Sequence, residues 1–220
     1  MNLASKIEHT NLKPDATASD IINLCNEAIE HQFYGVCVPP YFVQLAKRTL
    51  KKNELKIITV AGFPFGFNSV SSKVEETKKA ITAGAHEIDM VMNIAALKSG
   101  DIVVVQNDIQ SVVTACHLQN KLAKVIIETC YLTDEEIILA CRLCADCEAD
   151  YVKTSTGYGP EGATVKAVQL MRKNLPAKIK IKAAGGIRDF TFAEELIAAG
   201  ADKLGTSSGV KIMLESRVVS

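Results

Sequence analysis

The sequence predicts an α/β chain folded as a (β/α)8 TIM barrel, and three observations carry the prediction. Short β-branched or apolar runs alternate with longer stretches of helical period, and eight such pairs follow one another. The turn after the first run lacks the clustered glycines expected of an open doubly wound sheet. Two helix-to-strand junctions repeat a cassette, ITAGAHEIDMV at 81–91 and IAAGADKLGTS at 197–207, with glycine where a left-handed cap should end the helix.

The strand-like runs fall at 6–11, 34–38, 56–63, 86–92, 123–129, 151–156, 179–185 and 202–207. The first, KIEHTN, carries the weakest pattern and leads into DATASDIINLCNEAIEHQ, whose apolar positions recur at three and four. The same period marks SSKVEETKKAITAGA, LTDEEIILACRLCADCEA and DFTFAEELIAAGA, each with acids near its start, where the helix dipole favours them. No linker, low-complexity tract or charge block divides the chain, so residues 1–220 are expected to form one domain, a length one core can serve.

Composition narrows the class of function. Hydrophobic residues make up 48% and charged residues 23%, an ordinary globular balance. Lys plus Arg and Asp plus Glu are both 25, so no net field draws the chain to nucleic acid or an anionic membrane. The first residues, MNLASKIEH, lack a signal-peptide core, and no apolar run is long enough to span a bilayer, which predicts a cytoplasmic protein. Seven cysteines fit reduced, packed thiols better than a disulfide scaffold.

In such a barrel the reactive groups sit at the carboxyl ends of the strands, so ionisable residues inside strand patterns are the first candidates. Four stand out: Asp89 in EIDMVMN, Glu128 in KVIIET, Lys153 in YVKTSTG and Lys182 in KIKAAGG. Any one alone would read as half of an internal ion pair. Together, two lysines and two acids converging on one barrel mouth leave an amine that can be neutral, which is what nucleophilic attack on a carbonyl requires. A free lysine has a pKa of ~10.4. A second ammonium about 4 Å away contributes roughly 4 kcal/mol of repulsion at an effective dielectric of ~20, so Lys182 is expected to activate Lys153. Asp89 would move protons during carbinolamine breakdown and enamine formation, and Glu128 would hold a lysine in place.

The last two strands end in glycine-rich turns, AAGGIRDF at 183–190 and LGTSSGVKIM at 204–213. Backbone N–H groups gathered there, with the Ser207 and Ser208 hydroxyls and a helix start, would hold a phosphate dianion, and Gly157 could close the pocket.

Read together, IEHTNLKPDAT, YGVCVPP, VAGFPFG, EIDMVMN, KVIIETC, YVKTSTGYGPEGAT, IKAAGGIRD and LGTSSGV resemble the deoxyribose-phosphate aldolase family, in its order and over nearly the whole chain. The resemblance implies a class I aldolase, needing no metal or organic cofactor, that reversibly cleaves 2-deoxyribose 5-phosphate to glyceraldehyde 3-phosphate and acetaldehyde in deoxynucleoside catabolism. It implies an imine on Lys153, tuning by Lys182, a proton relay through Asp89, and phosphate contacts at Gly157, Gly185, Gly186, Gly205, Ser207 and Ser208. Its partner is a small sugar phosphate, with no nucleic acid or membrane, and it allows a homodimer. Cys37 matches a pocket-lining position, though a small buried thiol packs equally well.

Two departures bear on turnover. Glu8 stands where the family usually has an aspartate that orders water near the amine, and the extra methylene would shift that proton relay. Many members end in a tyrosine on a mobile tail, whereas this chain ends LESRVVS, and Tyr158 is no evident substitute. A lysine-dependent barrel acting on another sugar phosphate, and a binding protein that keeps only the phosphate cradle, are the competing readings.

Cys141, Cys144 and Cys147 have a C-x2-C-x2-C spacing, with Cys130 upstream, that could suggest a metal site. On a regular helix they keep to one face, where cysteine packs as a small hydrophobe. His9 is expected near the mouth without a catalytic role, Phe63 and Phe65 near the sugar pocket or in loop packing, and Lys124 inside the barrel with no assigned role.

Overall fold

The computed structural model describes residues 3–51 and 53–219. Eight parallel strands close into a barrel in sequence order: β1 (Ile7–Thr10), β2 (Gly35–Cys37), β3 (Lys56–Ala61), β4 (Glu87–Val91), β5 (Leu122–Ile126), β6 (Tyr151–Lys153), β7 (Lys180–Ala184) and β8 (Lys203–Thr206), with β8 pairing back onto β1. Helices surround them: α1 (Ala18–Glu30), α2 (Val43–Leu50), α3 (Val70–Ala83), the short α4 (Ile94–Lys98), α5 (Ile102–His117), α6 (Asp134–Asp146), α7 (Val165–Asn174), α8 (Phe190–Ala198) and α9 (Gly209–Val219).

Local sequence sets the helix starts. Thr17 and Thr133 each accept from the backbone three residues on, while Asp20 and Glu136 reach back to the cap, closing a capping box on α1 and α6. Ser69, Asp101, Thr164 and Asp189 cap α3, α5, α7 and α8 through one side-chain oxygen each. Gly84, at φ 120°, ends α3 in a conformation that side chains avoid and starts the turn into β4.

Alternation along the strands sorts side chains into two compartments. Ile7, Val36, Ile57, Ile88, Met90, Val125, Val152, Ile181 and Leu204 point outward into a continuous apolar layer against the helices. Inside the barrel Cys37, Ile58 and Val60 pack together on the β2–β3 side. The opposite wall is charged, and that asymmetry makes the site.

The strands end one to three residues earlier than the sequence suggests, β5 and β6 by three. β5 ends at Ile126 and β6 at Lys153, not at 129 and 156; after β5, Glu128 turns into left-handed backbone at φ 54° and the chain leaves the sheet there. A GxGxxG spacing occurs once, at Gly157, Gly159 and Gly162. It lies in the loop between β6 and α7, where a Cβ on Gly162 would meet the Gly185 carbonyl at 2.1 Å, so it serves loop packing rather than a first dinucleotide turn.

Candidate active site

The inward faces of β1, β4, β5, β6 and β7 bring Glu8, Glu87, Asp89, Lys124, Lys153 and Lys182 together, each no more than 2% exposed. Register explains the meeting. Asp89 pairs with Lys124 across β4–β5 and Lys153 with Lys182 across β6–β7, and Glu87 lies two residues below Asp89 on the same face.

Asp89 is the hub. Its Oδ2 receives Lys153 Nζ at 2.9 Å and Lys182 Nζ at 2.6 Å, and its Oδ1 receives Lys124 Nζ at 3.0 Å. Glu8 accepts from Lys182 and lies 3.4 Å from Lys124, which also pairs with Glu87 at 2.5 Å. Burial alone would push the Asp89 carboxyl up, but the Lys124, Lys153 and Lys182 ammoniums hold it well below the usual carboxylate range. Burial likewise pulls Lys182 down, yet Asp89 and Glu8 more than reverse it, leaving Lys182 above its ordinary value and cationic.

This geometry corrects two expectations. The charged set contains three lysines and three carboxylates, not two of each, because Lys124 and Glu87 belong to it and Glu128 does not. Lys182 is therefore not a bare neighbouring cation: Glu8 and Asp89 match its charge. What it offers Lys153 is a shared anionic oxygen. Glu128 holds no lysine; its carboxylate accepts from the Thr156 backbone N–H at 3.1 Å and from the Thr156 hydroxyl, fixing the turn just after Lys153. Burial pushes the Glu128 carboxyl up, while the Thr156 bonds and Lys153 oppose that shift.

A cavity of about 780 Å³ opens at the carboxyl ends of the strands. Of the three clustered lysines only Lys153 lines it; Lys124 and Lys182 are wholly buried behind. Gly157, Gly185, Gly186, Gly205 and Ser207 also line it, whereas Ser208, just ahead of α9, does not. Gly186, at φ 76°, would meet nothing within 4 Å if it carried a Cβ, so its backbone is open to a ligand. Gly205 serves inward as well: a Cβ there would lie 3.0 Å from Lys182 Cε.

Arg188 and Lys13 add two cations to the lining that the sequence reading did not single out. They lie on loops after β7 and β1, which only the closed barrel brings together. His9 reaches the same cavity with its Nε2 2.7 Å from Glu27, and Tyr158 donates its hydroxyl to the Leu12 carbonyl at 2.7 Å across the opening. Phe63 packs edge-on against Tyr158, while Phe65 and Phe67 stack on each other at the surface. Cys37 packs inside the barrel, where burial pushes its thiol up to about 11.

Cys141 and Cys144 are buried on α6 and Cys147 follows its last turn; burial pushes the Cys141 thiol up to about 12. Among the described residues no group of three or more His, Cys, Asp or Glu is disposed to hold a metal ion. No helix among them is long and apolar enough to cross a membrane. Of the tail LESRVVS, Ser220 lies outside the described residues.

A family model described as DeoC/LacD family aldolase matches residues 4–215. The chain belongs to that aldolase family. Deoxyribose-phosphate aldolase from Thermococcus gammatolerans is 53% identical over 219 residues, covering 99% of this chain and 97% of the relative. The enzyme of that name from Thermococcus kodakarensis is 54% identical over 213 residues, covering 96% and 95%. The solved deoxyribose phosphate aldolase of Aeropyrum pernix, described as having a unique tetrameric structure, superposes with a TM-score of 0.92 at 31% identity, over 99% of this aldolase chain and 92% of that one.

Proposed function

We propose that this aldolase reversibly cleaves 2-deoxy-D-ribose 5-phosphate to D-glyceraldehyde 3-phosphate and acetaldehyde through an imine on Lys153. The observation that carries the assignment is that Lys153 alone among the clustered lysines faces the cavity while hydrogen-bonding Asp89 Oδ2, the oxygen that Lys182 also holds.

In its neutral form the Lys153 amine attacks the open-chain aldehyde carbon, and water leaves as the protonated imine forms. That imine is again a cation at the position of the ammonium, so Asp89 stabilises it without reorganising. Removal of the sugar's C3 hydroxyl proton breaks the C2–C3 bond and releases glyceraldehyde 3-phosphate, the bonding pair flowing into the imine to give an enamine. Protonation at C2 and hydrolysis release acetaldehyde and restore Lys153. Asp89, directly or through a water, is positioned for these transfers, with Lys182 and Glu8 fixing its orientation.

The phosphate would rest on the backbone of Gly157, Gly185 and Gly186, with Gly205 and Ser207 beside it, Ser208 at the helix start beyond, and Arg188 and Lys13 adding charge. We place this chemistry in one domain spanning 1–220, in the cytoplasm, within deoxynucleoside catabolism; light scattering would show whether two copies pair as a homodimer. Acetaldehyde release from 2-deoxyribose 5-phosphate, followed by coupled reduction, tests the substrate. Release from the parent and none from Lys153→Met is expected; equal rates would remove Lys153 from the mechanism.

A further inference from the structure

We infer that Glu87, held by Tyr34 at the floor of the barrel, sets the charge balance of the catalytic cluster through Lys124 and so positions the pH range in which Lys153 forms its imine. The inference rests on Lys153 being the imine-forming residue.

Glu87 lies two residues before Asp89 on β4, deeper in the barrel and away from the cavity. One of its oxygens accepts the Tyr34 hydroxyl and the other lies 2.5 Å from Lys124 Nζ. Lys124 in turn touches Asp89 at 3.0 Å and Glu8 at 3.4 Å, the two carboxylates that hold Lys182. A continuous polar chain therefore runs from Tyr34 through Glu87, Lys124 and Asp89 to Lys153, while the β2–β3 side of the interior is apolar. Burial pushes the Glu87 carboxyl up, but Lys124 and the Tyr34 bond reverse this and keep it below its ordinary value, an anion in the working range.

With Glu87 ionised, the six groups balance at three cations and three anions, and the Lys153 ammonium is the partner that completes the balance. Neutralising Glu87 leaves the cluster in excess of positive charge, which disfavours a further proton at its cavity end. At a separation on the order of 10 Å and an effective dielectric of ~20, one charge moves the acidic limb of imine formation by about one pH unit.

Of the other groups near Glu87, His86 precedes it, accepts the Ile57 N–H at Nδ1 and is lowered by burial, with Glu87 opposing. Tyr34 lies on the turn before β2, where burial and Glu87 raise its phenol, so it stays a neutral donor. Tyr151 on β6 is likewise raised, first by burial and then by Glu87. Lys203 on β8 sits 3.2 Å from the Tyr34 ring centroid and donates to the Ser5 carbonyl. Burial pushes its ammonium down to about 8, while Glu8 and Glu87 oppose that shift.

The test measures the rate of borohydride-trapped imine formation with acetaldehyde against pH in the intact chain, with thermal unfolding alongside. Glu87→Gln should move the acidic limb down by about one unit, Glu87→Asp should restore it toward the parent, and Tyr34→Phe, which keeps the charge, should leave it within about 0.3 units. Lys124→Gln removes a cation and should move the limb up, which supplies an independent sign should Glu87→Gln fold poorly. A Glu87→Gln limb that stays put or rises while stability falls assigns Glu87 a merely structural role and overturns the inference. An unlabelled Lys153 in the parent would instead refute the imine assignment on which it rests.

Discussion

Replacing Asp89 by asparagine isolates the hub of the site. The substitution keeps size and shape but removes the one carboxylate that meets Lys124, Lys153 and Lys182 at 2.6–3.0 Å. At an effective dielectric of ~20 each contact is roughly 5–6 kcal/mol of raw attraction, most of it offset by desolvation, and breaking a buried pair typically costs 3–5 kcal/mol. Three ammoniums would then share Glu8 and Glu87, and the available relief is release of a proton from one of them. Asp89→Asn is therefore expected to lose about 3–5 kcal/mol at pH 7.

The loss should depend on pH in a definite sense. The folded-state Asp89 carboxyl lies below its unfolded value of ~3.9, so its contribution is complete above that value and disappears as pH falls through the folded one. Urea unfolding of parent and variant at pH 7 and again near pH 3 should show a gap that narrows on acidification. Loss of the proton relay should also lower kcat by about 10²–10⁴-fold. A variant within 1 kcal/mol of the parent at pH 7, or a gap that widens in acid, would refute the shared-carboxylate account.

Other consequences are equally open to measurement. Lys182→Met should leave the fold intact by circular dichroism while lowering kcat by at least about 10²-fold, since Asp89 loses the partner that orients it toward Lys153. Ser207→Asp places a negative charge in the cavity lining, so KM for the sugar phosphate should rise by about tenfold or more while KM for unphosphorylated 2-deoxyribose stays near the parent's. Lys73 pairs with Asp108 at 2.6 Å and donates to the Val91 carbonyl at 2.7 Å, a buried clasp between α3 and α5 outside the barrel. Lys73→Met should lower unfolding stability by about 3–5 kcal/mol by stranding the Asp108 carboxylate.

All eight strands could be placed from sequence because β-branched runs bounded by capped amphipathic helices leave little choice of period. Their ends were less legible. Ile127 and Glu128 continue the composition of β5, and only the left-handed backbone at Glu128 shows that the sheet has ended. Asp89, Lys153 and Lys182 were visible as ions inside apolar strands. Glu87 carried the same signal, since the spacing of Glu87 and Asp89 in EID puts both acids on one face of a strand, yet at the strand's start it reads as a boundary residue. Lys124 was legible as an interior residue, but its pairing with Asp89 needed the register. Arg188 and Lys13 were hidden for another reason: surface loops distant in sequence converge only when β8 closes on β1.

The most direct test is the mass of the covalent adduct. Reduction with borohydride in the presence of acetaldehyde should add one two-carbon unit to the peptide carrying Lys153, with Lys124 and Lys182 unmodified. Label on either buried lysine, or none on Lys153, would contradict the placement of the reacting amine at the floor of the cavity.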